Sequence, residues 1–272
     1  MPTIPFGQQE PHKDRQRAES FGSDPERYDR TRPRYPDAIV DAVVAGSPGS
    51  DVLDVGCGTG IDARQFQEAG CTVLGVEPDE RMADFARRSG VETEVATLEV
   101  WNPAGRNFDA VVAGQTWHWV DAVAGAAKAV RVLRPGGRLA VFWNVAQPSP
   151  EAAQAFSAVY QRVLPSSLAS MAYRQTAPGR DGYSALTAKA EDGIREAGAF
   201  GDPERWRFDW ERFYTRDEWL DQLPTHGGHT RLPQAQLDEV LAGMGAAVDA
   251  LGGGFAMHYA TVVVTAARTG SA

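Results

Sequence analysis

The sequence predicts an α/β fold built on a parallel sheet, and three observations predict it. Residues 51–60, Asp-Val-Leu-Asp-Val-Gly-Cys-Gly-Thr-Gly, read as a buried strand running into a glycine turn, with a helix starting at Ile61. From there to Trp143, strand-like apolar runs alternate with helical ones, the order of a sheet covered by helices. The composition, 43% hydrophobic and 23% charged over 272 residues, is that of a globular chain able to bury a substantial core.

The glycine turn carries the first chemical information. Without Cβ atoms, Gly56, Gly58 and Gly60 let backbone approach a ligand closely. The helix that follows aims its free N–H groups at the same point. The dinucleotide fingerprint needs glycine at the sixth position, where this chain has Ile61. Asp54 lies inside the strand, and a buried carboxylate needs partners, either turn N–H groups or a ligand ammonium. Both features count against a nicotinamide-dependent oxidoreductase. The string Asp-Val-Gly-Cys-Gly-Thr-Gly resembles the first motif of class I S-adenosylmethionine-dependent methyltransferases. The nearest types are the trans-aconitate and the ubiquinone-menaquinone-biosynthesis small-molecule methyltransferases. The resemblance implies a three-layer sandwich around a Rossmann-like, mostly parallel seven-stranded sheet whose last strand is antiparallel. It also implies S-adenosylmethionine as methyl donor, with S-adenosylhomocysteine as product.

Bulk properties narrow the partners. With 27 basic and 36 acidic residues the net charge is -9, which disfavours nucleic acid, whose binding rests on Lys and Arg neutralising phosphates. Two cysteines, Cys57 and Cys71, give neither a disulfide framework nor metal-ligand spacing, so no metal is expected. The polar start lacks a signal-peptide core, and no apolar run approaches the ~20 residues that span a bilayer, so the expected location is cytoplasmic and off the membrane.

Residues 1–22 read as a loose tail, and 23–49 as a helical cap. Ser23-Asp24-Pro25-Glu26 offers a helix start, with a break at Arg32-Pro33 and a second helix from Pro36. The Tyr- and Arg-rich segment 28–36 is either a solvated basic loop or a cover over the glycine turn. Relatives of the trans-aconitate type carry a similar Tyr…Arg-Pro-x-Tyr-Pro segment, which makes Tyr28 and Arg32 candidates for the methionine end of the donor.

Residues 50–144 form the expected donor-binding core. Ala63, Phe66 and Ala69 give the first core helix its buried face. Strand two ends at Glu77, which is either an acceptor for two ribose hydroxyls or the acid that opens the next helix. Pro78 and Met82 follow it along the donor. After strand three comes Ala96-Thr97-Leu98-Glu99, where the family has an Asp that reaches the adenine amino group. Thr97 stands at that place, so Leu98 or Glu99 would take over the contact, unless all are turn residues. Strand four leads into Gly114-Gln115-Thr116-Trp117-His118-Trp119, a loop that leaves the sheet beside strand one and lands at the reacting methyl. Relatives carry the same His-Trp pair. His118 is a candidate general base, an acceptor-orienting group, or a loop-holding histidine. Of Trp117 and Trp119, one is expected to wall the pocket and one to pack. Leu-Arg-Pro-Gly-Gly at 133–137 is a second family mark and a structural turn. Trp143 and Asn144, ending strand five, point to the acceptor side.

Residues 145–203 read as a substrate-facing helical insertion or lid, with Tyr173 and Tyr183 as candidate liners. Residues 204–268 supply a strand, a helix started at Thr215, an amphipathic helix over 233–250 and a last Val- and Thr-rich strand. The function implied is methyl transfer to C, N or O of a small, aromatic or anionic acceptor. A non-catalytic S-adenosylmethionine-binding protein and a protein methyltransferase are the alternatives.

Overall fold

In the computed structural model, which describes residues 18, 20–165 and 183–270, seven strands form one sheet in the order β3-β2-β1-β4-β5-β7-β6. They are β1 (Asp51–Val55), β2 (Thr72–Glu77), β3 (Glu92–Val95), β4 (Phe108–Gly114), β5 (Leu133–Pro148), β6 (Glu204–Thr215) and β7 (Gly254–Ala267). The central pairs are parallel, and β7 runs against both β5 and β6. Central strands are apolar along their length because helices cover both faces: all of β4 but its last residue is buried.

The helices are α1 (Pro25–Thr31), α2 (Asp37–Ala45), α3 (Ile61–Glu68), α4 (Glu80–Arg88), α5 (Ala122–Val132), α6 (Pro150–Val163), α7 (Ser184–Ala197), α8 (Arg216–Gln222) and α9 (Gln234–Ala250). Ile39, Val43, Ala63, Phe66 and Ala86 of α2, α3 and α4 pack on one face of the sheet. Ala126, Ala129, Val132, Ala190 and Ile194 of α5 and α7 pack on the other. A third cluster joins Phe156 and Tyr160 of α6 to Trp219 of α8, Val240 and Met244 of α9, and Tyr214, Phe255 and Tyr259 of β6 and β7.

Four expectations need correction. Ala69 is exposed, and Asp62 and Gln65 instead share the buried side of α3 with Ala63 and Phe66. Gln65 is tolerated there because its amide donates to Tyr35 O and accepts from Tyr35 N–H. The described helices of 145–203 do not pack together: α6 joins the third cluster, while α7 lies on α5 in the core. Tyr183, at the start of α7, is buried against Trp143 with ring centroids 6.5 Å apart, so it is a core residue rather than a liner. Tyr173 lies outside the described residues. The tail boundary at residue 22 falls inside a 3-10 turn, Ser20–Ser23, whose Phe21 ring meets Tyr28 and Trp119.

Candidate active site

Strand order reverses beside β1, where β2 lies on one side and β4 on the other, and a crevice opens outside their carboxyl ends. A cleft of about 180 Å³ occupies it. Its floor is the glycine turn, in which Gly56, Gly58 and Gly60 all take left-handed backbone angles.

Glu77 sits at the tip of β2. One carboxylate oxygen accepts from Gly58 N–H and the other from Asp79 N–H, each at 2.9 Å. The side chain thus ties the turn to the start of α4. Burial pushes its pKa up to about 7, although the two backbone hydrogen bonds favour the charged form. Pro78 and Met82 continue this wall, and Thr97, Leu98 and Glu99 face them across the cleft.

Asp54 is fully buried one residue inside β1. Among the described residues no N–H or O–H reaches its oxygens, and Asp62 is the acid that acts on it most strongly. Burial raises Asp54 well above the usual carboxylate range, and the charges of Asp62 and Glu77 add to this. Asp62 rises to about 6, burial again being the cause, opposed by hydrogen bonds from backbone N–H groups at the start of α3 and from Gly114. Gly114 has to be glycine: a Cβ there would lie 2.4 Å from Asp62 Oδ2 and 2.7 Å from the Tyr35 hydroxyl.

The cover over this end comes from α1 and the chain after it. Arg32 lies with its guanidinium 4.7 Å from the Tyr28 ring centroid and donates to Thr225 O at 2.5 Å. Its Nε is buried and has no partner among the described residues. Asp221 of α8 holds α1 through Arg27 at 3.0 Å and Arg30 at 2.8 Å, and Asp29 binds Arg64 of α3 at 2.6 Å.

The remaining wall is the segment after β4. Gln115 takes a left-handed backbone (φ 58°) and donates its side-chain amide to Asn144 O at 3.2 Å, with its Oε1 buried and unpartnered. Asn144 Oδ1 accepts from Thr261 at 2.6 Å, so its amide NH₂ is set toward the cleft it lines. Trp117–Trp119 form one 3-10 turn, which turns neighbouring side chains to different sides. Trp119 and His118 line the cleft. Trp117 is buried on the other side, walling a small void with Trp143, and neither touches the cleft. Their expected places as liners are therefore corrected. Gly60 caps α3 from behind the turn, and Asp54 lies beneath it; neither is a lining residue.

His118 Nδ1 accepts from the Trp143 indole N–H at 3.2 Å. Indole only donates, so Nδ1 keeps its lone pair and the neutral ring carries its proton on Nε2. In that state neither ring nitrogen carries the free lone pair that a general base requires.

Of the expected site residues, Tyr28, Arg32, Gly56, Cys57, Gly58, Glu77, Pro78, Met82, Thr97, Leu98, Glu99, Gly114, Gln115, His118, Trp119 and Asn144 all line this one cleft. Phe21, Tyr35, Asp62 and Thr116 line it without having been foreseen. Tyr35 stood in the quoted aromatic segment; Asp62 looked like an ordinary acid in a first helical turn.

Comparison with known proteins agrees with this geometry. A family model for methyltransferase domains matches residues 53–141. An uncharacterised methyltransferase of Mycobacterium tuberculosis is 39% identical over 127 residues, 46% of this chain and 52% of the relative. Malonyl-[acyl-carrier protein] O-methyltransferase of Enterobacter lignolyticus is 33% identical over 128 residues, 45% of this chain and 51% of that one. The chain thus spans about half the length of the curated relatives it matches. A putative type II methyltransferase from Anaeromyxobacter dehalogenans superposes with a TM-score of 0.60 at 25% identity, covering 88% of this chain and 99% of that one. Residues 53–141 match a methyltransferase domain, and the Rossmann-like fold around them is the one that the Anaeromyxobacter structure shares.

Proposed function

We propose that this protein transfers the methyl group of S-adenosylmethionine to a small-molecule acceptor. The observation that carries the reading is the charge pattern of a single cleft. Glu77 is suited to accept a ribose diol, Asp62, with Asp54 buried beneath the turn, to face a cationic amine, and Arg32 to meet a carboxylate. S-adenosylmethionine bears those three groups in that order. Its sulfonium supplies an activated methyl, so the protein's task is to align the acceptor and exclude water. Phe21, Tyr28 and Trp119 form an aromatic wall for that purpose, and the electron-rich faces also favour a cation. His118, fixed by Trp143, presents a donor to the acceptor rather than a base.

One relative is named for O-methylation of malonyl-[acyl-carrier protein] and another for methylation of demethylmenaquinone, so the acceptor is open among related chains. Incubating the protein with labelled S-adenosylmethionine and a panel of carboxylate, phenol and amine acceptors, and counting product against S-adenosylhomocysteine released, tests the reading. Absence of binding by both nucleosides at millimolar concentration would overturn it.

With an acceptor in hand, His118→Gln will raise KM about tenfold and lower kcat less, as loss of one directed hydrogen bond does. The kcat–pH profile of the variant will keep the wild-type limbs. A profile that loses its acidic limb, with a ~10²–10⁴-fold fall in kcat, would restore the general base.

A further inference from the structure

The sheet ends on β6. This strand pairs with β7 along all of its 12 residues without a register shift, and among the described residues no strand lies on its other side. Its outer backbone N–H and C=O groups therefore form a template for another strand. Edge strands are commonly blunted by a Pro, a Lys, a bulge or short length. β6 has none of these, whereas the opposite edge, β3, is only 4 residues long.

The sequence of β6 is antisymmetric in charge about Phe208. Arg207 mirrors Asp209, Arg205 mirrors Glu211 and Glu204 mirrors Arg212, while Trp206 mirrors Trp210. Pairing with β7 does not call for this pattern: the facing residues, from Thr265 to Met257, include no carboxylate, Lys or Arg. The charged side chains of the outward face are available. Arg207 and Asp209, paired with each other at 2.9 Å, are 56% and 67% exposed, and Glu211, paired with His258, is 53% exposed. Arg205 meets Glu191 of α7, and Arg212 donates to Thr31 O at 3.4 Å.

We propose that β6 is a docking surface for a second copy of this chain, laid antiparallel about a two-fold axis at Phe208. An axis perpendicular to the sheet keeps each side chain on its own face, so competing registers differ by two residues. One of those sets Arg207 against itself and the other Asp209 against itself, and like charges directly opposite are destabilising. Centred on Phe208, every charged residue from Glu204 to Arg212 faces its opposite, and each contact occurs twice. On the other face, half-buried Trp206 and Trp210 face one another and Phe208 faces its own copy, which carries the apolar layer across the junction. Two seven-stranded sheets become one. Two strands separate β4 from β6, so each copy keeps its own cleft, and the proposal holds whatever that cleft binds.

The test is sedimentation velocity on wild type, Arg207→Glu and the double variant Arg207→Glu/Asp209→Arg. Both side chains are exposed, so the core is untouched, and circular dichroism checks the fold. A strand-edge contact is a small interface, so wild type will dimerise with a Kd of roughly 10–100 µM. Arg207→Glu replaces two attractive contacts by two repulsive ones and will weaken the dimer ~10-fold, and the double variant will return it to within about threefold. Hydrogen exchange on wild type needs no variant. Amides of residues 204–212 will exchange more slowly at ~0.5 mM than at a few micromolar, and those of β3 will not change. A wild-type monomer up to ~0.5 mM, well above the Kd expected of such an interface, would overturn the proposal. So would a dimer indifferent to Arg207→Glu, a loss that the double variant does not restore, or exchange in β6 that ignores concentration.

Discussion

Glu77→Ala will weaken S-adenosylmethionine binding by about two orders of magnitude. The variant loses two things together. It loses the carboxylate proposed to accept the ribose hydroxyls, and the charge-assisted hydrogen bonds that fix Gly58 and Asp79. Hydrogen bonds to a charged group contribute ~1.5–3 kcal/mol each, and a loss near 3 kcal/mol corresponds to roughly 100-fold in affinity. Glu77→Gln keeps the shape and one acceptor, so it will fall between the two. Titration calorimetry gives the affinities, and circular dichroism checks that the sheet is intact. An alanine variant with wild-type affinity would remove Glu77 from the ligand and leave it a helix-start residue.

The ligand-free protein will lose stability as pH rises above about 6.5. Burial raises Asp54 well above its ordinary value and takes Glu77 from 4.5 to about 7. A carboxyl whose folded pKa exceeds its unfolded one stabilises fully below the unfolded value, and that contribution drains away as pH climbs to the folded value. Asp62, at about 6, has finished draining by then. Below pH 6.5 two buried histidines work in the opposite sense. Burial holds His226 well below 6.5 and His229 at about 4, so the unfolded chain takes up their protons first as pH falls. The acids and the histidines therefore offset each other in mild acid, and the acids act alone above it. Each group that still holds a proton contributes a slope of ~1.4 kcal/mol per pH unit. Glu77, titrating at about 7, gives a loss on the order of 1 kcal/mol between pH 6.5 and 8, or about 3 °C in Tm for a chain of this size, and Asp54 acts in the same direction. Thermal unfolding in a matched buffer series measures it, and Asp54→Asn will flatten the curve. Constant or rising Tm across that window would show that the acids are already ionised in the free protein.

Residues whose chemistry repeats along the chain were the readable ones. The strand and glycine turn at 51–60, the acid ending β2 and the loop after β4 each announce themselves by local pattern, and they meet in one cleft. What was not readable depends on direction rather than identity. Trp117 and Trp119 differ in nothing but two positions of chain, and the 3-10 turn sends one inward and one to the cleft. Asp62 is chemically the same acid whether it faces water or Asp54, and the face is set by how α3 packs on the sheet. Tyr183 has the composition of a pocket liner, yet α7 carries it into the core beside Trp143. Phe21 sits in a stretch without periodicity, so its contacts with Tyr28 and Trp119 had no sequence signal at all.

The cover of the cleft comes from the first hundred residues, but many of its fastenings do not. Arg27 and Arg30 reach Asp221, Arg32 reaches Thr225, and Arg212 reaches Thr31. Each of these partners is separated from α1 by some 180 to 194 positions of chain. During synthesis the glycine turn, Glu77 and the β4 loop are therefore complete while the cover is held only by near-sequence contacts such as Asp29–Arg64 and Tyr35–Gln65. A growing chain that ends before β6 has a formed floor and a roof fastened on one side only. Closing so wide a loop is entropically slow, and it waits on the antiparallel pairing of β6 with β7. The enclosed cleft is thus the last part of the molecule to be finished, although its chemistry is written near the start.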